Sequence, residues 1–128
     1  MEQATILDAH VQVRRMYNLL TEVQDLTLQM AQSLDRNDAV ATQMLLDMRQ
    51  APLQKMAQAR EALLLQLEEL NQEDSAHLRS ILNGGTAISP EEKRLADQVA
   101  MNSRLMQQVQ ALDRQVNQKI TRDKSIYN

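Results

Sequence analysis

Apolar residues recur every seven positions from the start of this 128-residue chain. Ile6, Val13, Leu20 and Leu34 share one heptad position, with Thr27 interrupting. Ala9, Met16, Val23 and Met30 share the other, three residues later. Alternating steps of three and four residues keep a narrow apolar stripe on one side of a long helix, and such a stripe is stable only against a neighbour. Two later blocks carry stripes of their own. The pattern predicts rods packed side to side, with a function exercised by contact rather than by bond chemistry.

The residues available for a core agree with this. The chain is 43% hydrophobic but only 2% aromatic, with no Phe and no Trp. Leu, Met, Val, Ile and Ala must build the interior, which suits helix packing and is poor in strand formers. Two Gly and two Pro are too few for the turns of a sandwich or barrel. The expected fold is all-α: an antiparallel hairpin of two long helices plus a third long C-terminal helix, in one coiled-coil-like domain over residues 1–128. Formal net charge is −3 with the basic residues scattered, so no basic face for nucleic acid is visible. Without cysteine there is no disulfide or thiolate chemistry. No apolar run approaches the roughly 20 residues of a membrane span. Met1-Glu2-Gln3 lacks a basic n-region followed by an apolar h-region, so no signal peptide is expected and a cytoplasmic location is the expectation.

Local signals divide the chain. The first rod is expected over residues 4–34, ended by Asp35-Arg36-Asn37-Asp38, whose side chains suit a turn and an N-cap at Asp38. The second, residues 39–70, carries Leu45, Met48, Met56, Leu63, Leu67 and Leu70 on one stripe. Pro52 lies inside it; since the stripe resumes in phase beyond it, a kinked helix is expected, the alternative being that Pro52 begins a new helix after a short break. Leu78, Ile81 and Leu82 predict a short amphipathic helix over residues 74–82, closed by Asn83-Gly84-Gly85. Ser89-Pro90-Glu91-Glu92 is a capping box: an N-cap Ser, Pro at the first helical position and Glu at the third. The third rod follows, residues 90–121, with Leu95, Val99, Leu105, Val109, Leu112, Val116 and Ile120 as its stripe and residues 122–128 as a loose tail.

Little in this pattern suggests catalysis. His10 and His77 are the only histidines; His77 follows Glu73 by four residues, the spacing of an ordinary helix-surface pair. The adjacent pairs Glu68-Glu69 and Glu91-Glu92 point about 100° apart on a helix and form no dyad. Asp74-x-x-His77 is a single copy where di-metal bundles use two Glu-x-x-His motifs. No enzyme activity, cofactor or metal site is expected. Met16, Met30, Met44, Met48, Met56, Met101 and Met106 mostly lie on or beside the stripes, and core filling is the plainer account of them than partner binding. Asn102 interrupts the third stripe, either to set register or to face solvent.

The first two rods can bury their stripes against each other. The third is thinner and Gln-rich, follows the longest connection, and is the expected partner-binding element through Leu105, Val109, Leu112 and Val116. The long heptad helix, the turn Leu34-Asp35-Arg36-Asn37-Asp38, and a second helix with Leu45-Leu46 and Arg49 resemble the FlgN family of flagellar type III export chaperones. The likeness spans nearly the whole chain. Family members tend to carry Gly-Asp where this chain has Asn37-Asp38, and Pro52 and the core without Phe or Trp are not features of the likeness. The resemblance implies a cytosolic chaperone whose third helix captures terminal helices of hook-associated, filament-junction subunits. It also implies a C-terminal Tyr that docks on the export gate, for which Tyr127 is the candidate. The alternative is a structural coiled-coil protein that buries its stripes by self-association.

Overall fold

The computed structural model describes the backbone of residues 1–127 and the side chains of residues 1–122. The chain forms α1 (Gln3–Asp35), α2 (Ala39–Glu69), α3 (Gln72–Leu82) and α4 (Pro90–Tyr127), with no strand among the described residues. The fold is the all-α arrangement anticipated from the heptads. Helix ends fall close to the expected positions except the last: α4 continues through the expected tail to Tyr127.

Short-range polar chemistry sets these ends. At the end of α1, Asn37 adopts φ +57°, and Asn37 N and Asp38 N donate to Leu34 O and Ser33 O. These two bonds close the last turn as a Schellman motif, with Asn in the left-handed position usually given to glycine. Asp38 then caps α2, its carboxylate accepting from Ala41 N at 3.0 Å. Gly84, at φ +88°, closes α3 in the same way, through Gly84 N to Ile81 O and Gly85 N to Ser80 O. Gly85 follows so tightly that a Cβ there would lie 2.2 Å from Ser80 Oγ. α2 passes through Pro52 as one helix, although proline supplies no N–H to the preceding turn.

The helix directions follow from the pairs that cross between helices. Gln66 Nε2 donates to Thr5 O and Arg49 Nη1 to Thr27 Oγ1, while Ser33 and Thr42 share a hydroxyl hydrogen bond. Rising numbers on α1 meet falling numbers on α2, so the hairpin is antiparallel. α4 runs the other way: Glu91 meets Gln3, Asn102 meets Val13, Gln108 meets Gln24 and Lys119 meets Asp35. It lies parallel to α1 from Glu91 to Lys119. α1 is therefore the shared partner, with α2 on one flank and α4 on the other, while α2 and α4 meet each other only sparsely.

Three apolar clusters run along this seam. At one end Ile6, Ala9 and Val13 of α1 meet Leu67 of α2, Leu78 and Ile81 of α3, and Leu95 of α4. In the middle Leu20 and Val23 meet Leu105 and Val109, with Tyr17 and Met56 against them. Near the α1–α2 turn, Met30 and Ala31 meet Val116, flanked by Leu34, Leu45, Leu46 and Ile120. Asn102 does not face solvent freely. Its Nδ2 donates to Val13 O at 2.8 Å and its Oδ1 accepts from Gln98. A polar side chain bonded to the neighbouring backbone fixes how far α4 can slide along α1.

α2 brings the chain back to the start of α1, and α3 packs there before α4 begins beside it. The capping box at that point is formed as the residues predict, with Glu92 N donating to Ser89 Oγ and Ser89 N to Glu92 Oε2. Glu92 also accepts from His77 of α3, so the histidine pairs with Glu92 fifteen residues away and not with Glu73. Burial alone would raise the Glu92 carboxyl, but the hydrogen bonds from His77 and Ser89 outweigh it and hold the group below its ordinary value. A depressed folded-state value means that this contribution is complete above the unfolded range, about pH 4.3, and is lost as pH falls through the folded value. The gap in urea midpoint between the wild type and Glu92→Gln is expected to be widest at neutral pH. It should close below about pH 4; a gap unchanged between pH 7 and pH 3 contradicts the assignment.

Candidate interaction surface

A helix that packs along one neighbour need bury only one stripe, and what lies on its other sides decides whether it can bind anything else. The third-rod stripe is occupied. Leu105, Val109 and Val116 are buried between α1 and α4. Leu112 is half-buried and lines a shallow depression with Leu28, Thr21 and Asp25 of α1. The side chain of Tyr127 lies outside the described residues. The expectation that α4 stands open through this stripe is therefore corrected. Its heptads run in register with those of α1, whose apolar face is wide enough to serve two neighbours.

α2 is the helix with surface to spare. Of its 31 residues only Pro52, Ala59 and Leu67 are buried, and two of these are small. Large apolar side chains stand in solvent on both its flanks. Val40, Met44 and Met48, at steps of four, are 74%, 60% and 56% exposed. Met44 and Met48 border a depression of about 250 Å³ shared with Leu45 and with Gln29, Gln32 and Arg36 of α1. Met48, expected on the buried stripe, lies outside it. The plainer account of the methionines also fails as a whole: Met30 is buried, Met16 and Met56 are half-buried, and Met44, Met48, Met101 and Met106 are exposed.

The opposite flank of α2 looks toward α4. Arg49 marks it: Nη1 donates to Asp113 Oδ1 of α4 at 2.6 Å and to Thr27 Oγ1 of α1 at 3.0 Å. Thr27 Oγ1 in turn donates to Val23 O at 2.7 Å. The heptad interruption in α1 thus helps to hold an ion pair between α2 and α4. Leu53 and Leu64 follow Arg49 by four and fifteen residues, on the same side of the helix. Met106 precedes Asp113 by two turns and shares its side of α4. All three are about two-fifths exposed, because α2 and α4 do not close on each other here.

At one end this gap is filled by the chain itself. α3 lies between α2 and α4 and inserts Leu78 and Ile81, both fully buried, against Leu67 and Leu95. From Val99 to Asp113 no other helix among the described residues covers the gap, a stretch of about 21 Å at 1.5 Å per residue. The geometry is that of a four-helix packing in which α3 supplies the fourth corner for three turns and then stops. In sequence the clue was the run Leu63-Leu64-Leu65, since three consecutive residues spread over about 200° of helix and cannot all face one neighbour.

Nothing in this surface resembles a reaction centre. Among the described residues no group of three or more His, Asp or Glu converges as metal ligands. No described helix is long and apolar enough to cross a membrane. The Glu91 carboxyl is held below its ordinary value by its own backbone N–H and by Gln3, which is what an exposed helix N-terminus does to an acid. The chain matches no family model, no curated protein and no solved structure.

Proposed function

We propose that this protein is a non-enzymatic, cytoplasmic helical chaperone or adaptor of the FlgN type, which holds terminal helices of hook-associated filament-junction subunits before export. One feature carries the reading: Leu53 and Leu64 of α2 and Met106 of α4 are exposed, helix periodicity sets them on the sides of Arg49 and Asp113 where α2 and α4 face each other, and at one end α3 already packs against both helices. α3 indicates what fits. The occupant is a helix of about four turns presenting two or three aliphatic side chains on one face, in the manner of helix-in-groove recognition.

In this reading α4 contributes through its Met106 side. Leu105, Val109 and Val116 hold α4 in place on α1. Methionine suits such a surface because its unbranched chain adapts to different aliphatic partners. Co-expression with hook-associated subunits from the same organism tests the role. A stable complex that co-purifies through size exclusion is the expected result. Failure of every such subunit to form one contradicts it.

A further inference from the structure

The flank of α2 turned away from α4 carries a second heptad seam that nothing in the chain uses. Met44, Met48, Ala51, Lys55, Gln58, Ala62 and Leu65 follow one another at steps of four and three residues. Five of these seven heptad positions are apolar, with Lys55 and Gln58 between them, a face that can lie along another helix. α1 cannot be that neighbour, since it already packs against the face bearing Pro52, Ala59 and Leu67. Met44, Met48, Ala51, Lys55, Gln58 and Leu65 are all exposed.

We infer that this seam pairs with the same seam of a second copy, α2 against α2 in antiparallel orientation about a two-fold axis at Ala51. The charges specify the partner. Asp47 and Lys55 stand four residues before and four after Ala51. They are about 12 Å apart along their own helix, too far to pair within one chain. A two-fold axis at Ala51 brings Asp47 of each copy beside Lys55 of the other, twice over. The same axis sets Met44 opposite Gln58, Val40 opposite Ala62, and Met48 against the aliphatic stem of Lys55. At the axis itself stands alanine, small enough for two helices to approach closely. An isologous interface requires this self-complementarity. A parallel pairing lacks it, because there Asp47 meets Asp47 and Lys55 meets Lys55.

The surface is distinct from the α2–α4 gap, so failure of pairing leaves the client reading standing, and the reverse. The test is light scattering and sedimentation of the full chain over a range of concentrations, with Asp47→Lys and Lys55→Asp made separately. The wild type is expected to be a dimer. Each variant alone places like charges at both ends of the seam and should weaken pairing at least about tenfold. Mixed in equal amounts, the two variants should restore a dimer containing one copy of each, because every Asp–Lys pair is then rebuilt. Restoration by mixing also shows that neither variant is misfolded. A wild type that stays monomeric at all concentrations overturns the inference. So does a dimer indifferent to both substitutions, or single-variant monomers that do not combine when mixed.

Discussion

Val109→Asp is expected to destabilise the chain by more than any other single substitution considered, leaving it partly or wholly unfolded at neutral pH. Val109 is only 3% exposed and packs with Leu20, Val23 and Leu105 where α4 crosses the middle of α1. Removing its burial forfeits about 1.5–3 kcal/mol. An unpaired carboxylate in that position adds a penalty of roughly 3–5 kcal/mol. Set against a total of about 5–15 kcal/mol for a domain of ordinary stability, the sum is enough to release α4. Burial raises the pKa of an introduced carboxyl, so the variant should recover stability as pH falls, opposite in sign to the behaviour at Glu92. Far-ultraviolet circular dichroism and urea unfolding at pH 7 and pH 4 check both statements. A variant as stable as the wild type at pH 7 contradicts the assignment of this stripe to the core.

Leu95→Ala comes second, with an expected loss of about 2–5 kcal/mol. Leu95 has no exposed surface and belongs to the one cluster in which all four helices meet. Shortening it leaves a cavity bounded by Ile6, Ala9, Leu67, Leu78 and Ile81. These residues cannot all collapse inward, because α1 and α2 are held nearby by the bond from Gln66 to Thr5 O. The loss should appear in the urea midpoint with little change in its slope. Protection of α3 amides from hydrogen exchange should fall first, since α3 has no other apolar anchor comparable to this cluster. A loss below about 1 kcal/mol shows that the site repacks and that α3 is held by other means.

These effects bear on what could be read before the fold was known. Helix ends were legible because they depend on residues within four positions of one another. Asp38 to Ala41, Ser89 to Glu92 and the turn closed at Gly84 are all of this kind. Heptad spacing likewise marked long rods and the stripes of α1 and α4. What spacing cannot give is which stripe meets which neighbour. That is fixed by contacts such as Asn102 to Val13 O and Arg49 to Asp113, far apart in sequence.

The third helix therefore looked spare because its stripe is thin, whereas a thin stripe suffices against an α1 face as well supplied as this one. α2 looked satisfied because it has leucines to spare. Their distribution around the helix, rather than their number, leaves Leu53, Leu64, Met44 and Met48 in solvent. Pro52 was the more legible feature of α2. The stripe resuming in phase beyond it favoured one kinked helix over two, and α2 is one helix through it. The proline ring itself is buried, so its packing is retained even though the backbone bond is lost.

The central claim is that the gap between α2 and α4 receives a partner's helix while the α1–α4 stripe is structural. Its most direct test is titration of a hook-associated subunit's terminal-helix peptide into the wild type and into Leu64→Asp, with urea midpoints measured on both. Leu64 is exposed, so the variant should keep the wild-type stability to within about 0.5 kcal/mol. A charge placed against the aliphatic face of the peptide should weaken binding by at least about tenfold, or 1.4 kcal/mol. Unchanged affinity for Leu64→Asp, or a loss of affinity that merely follows a loss of folding, contradicts the account.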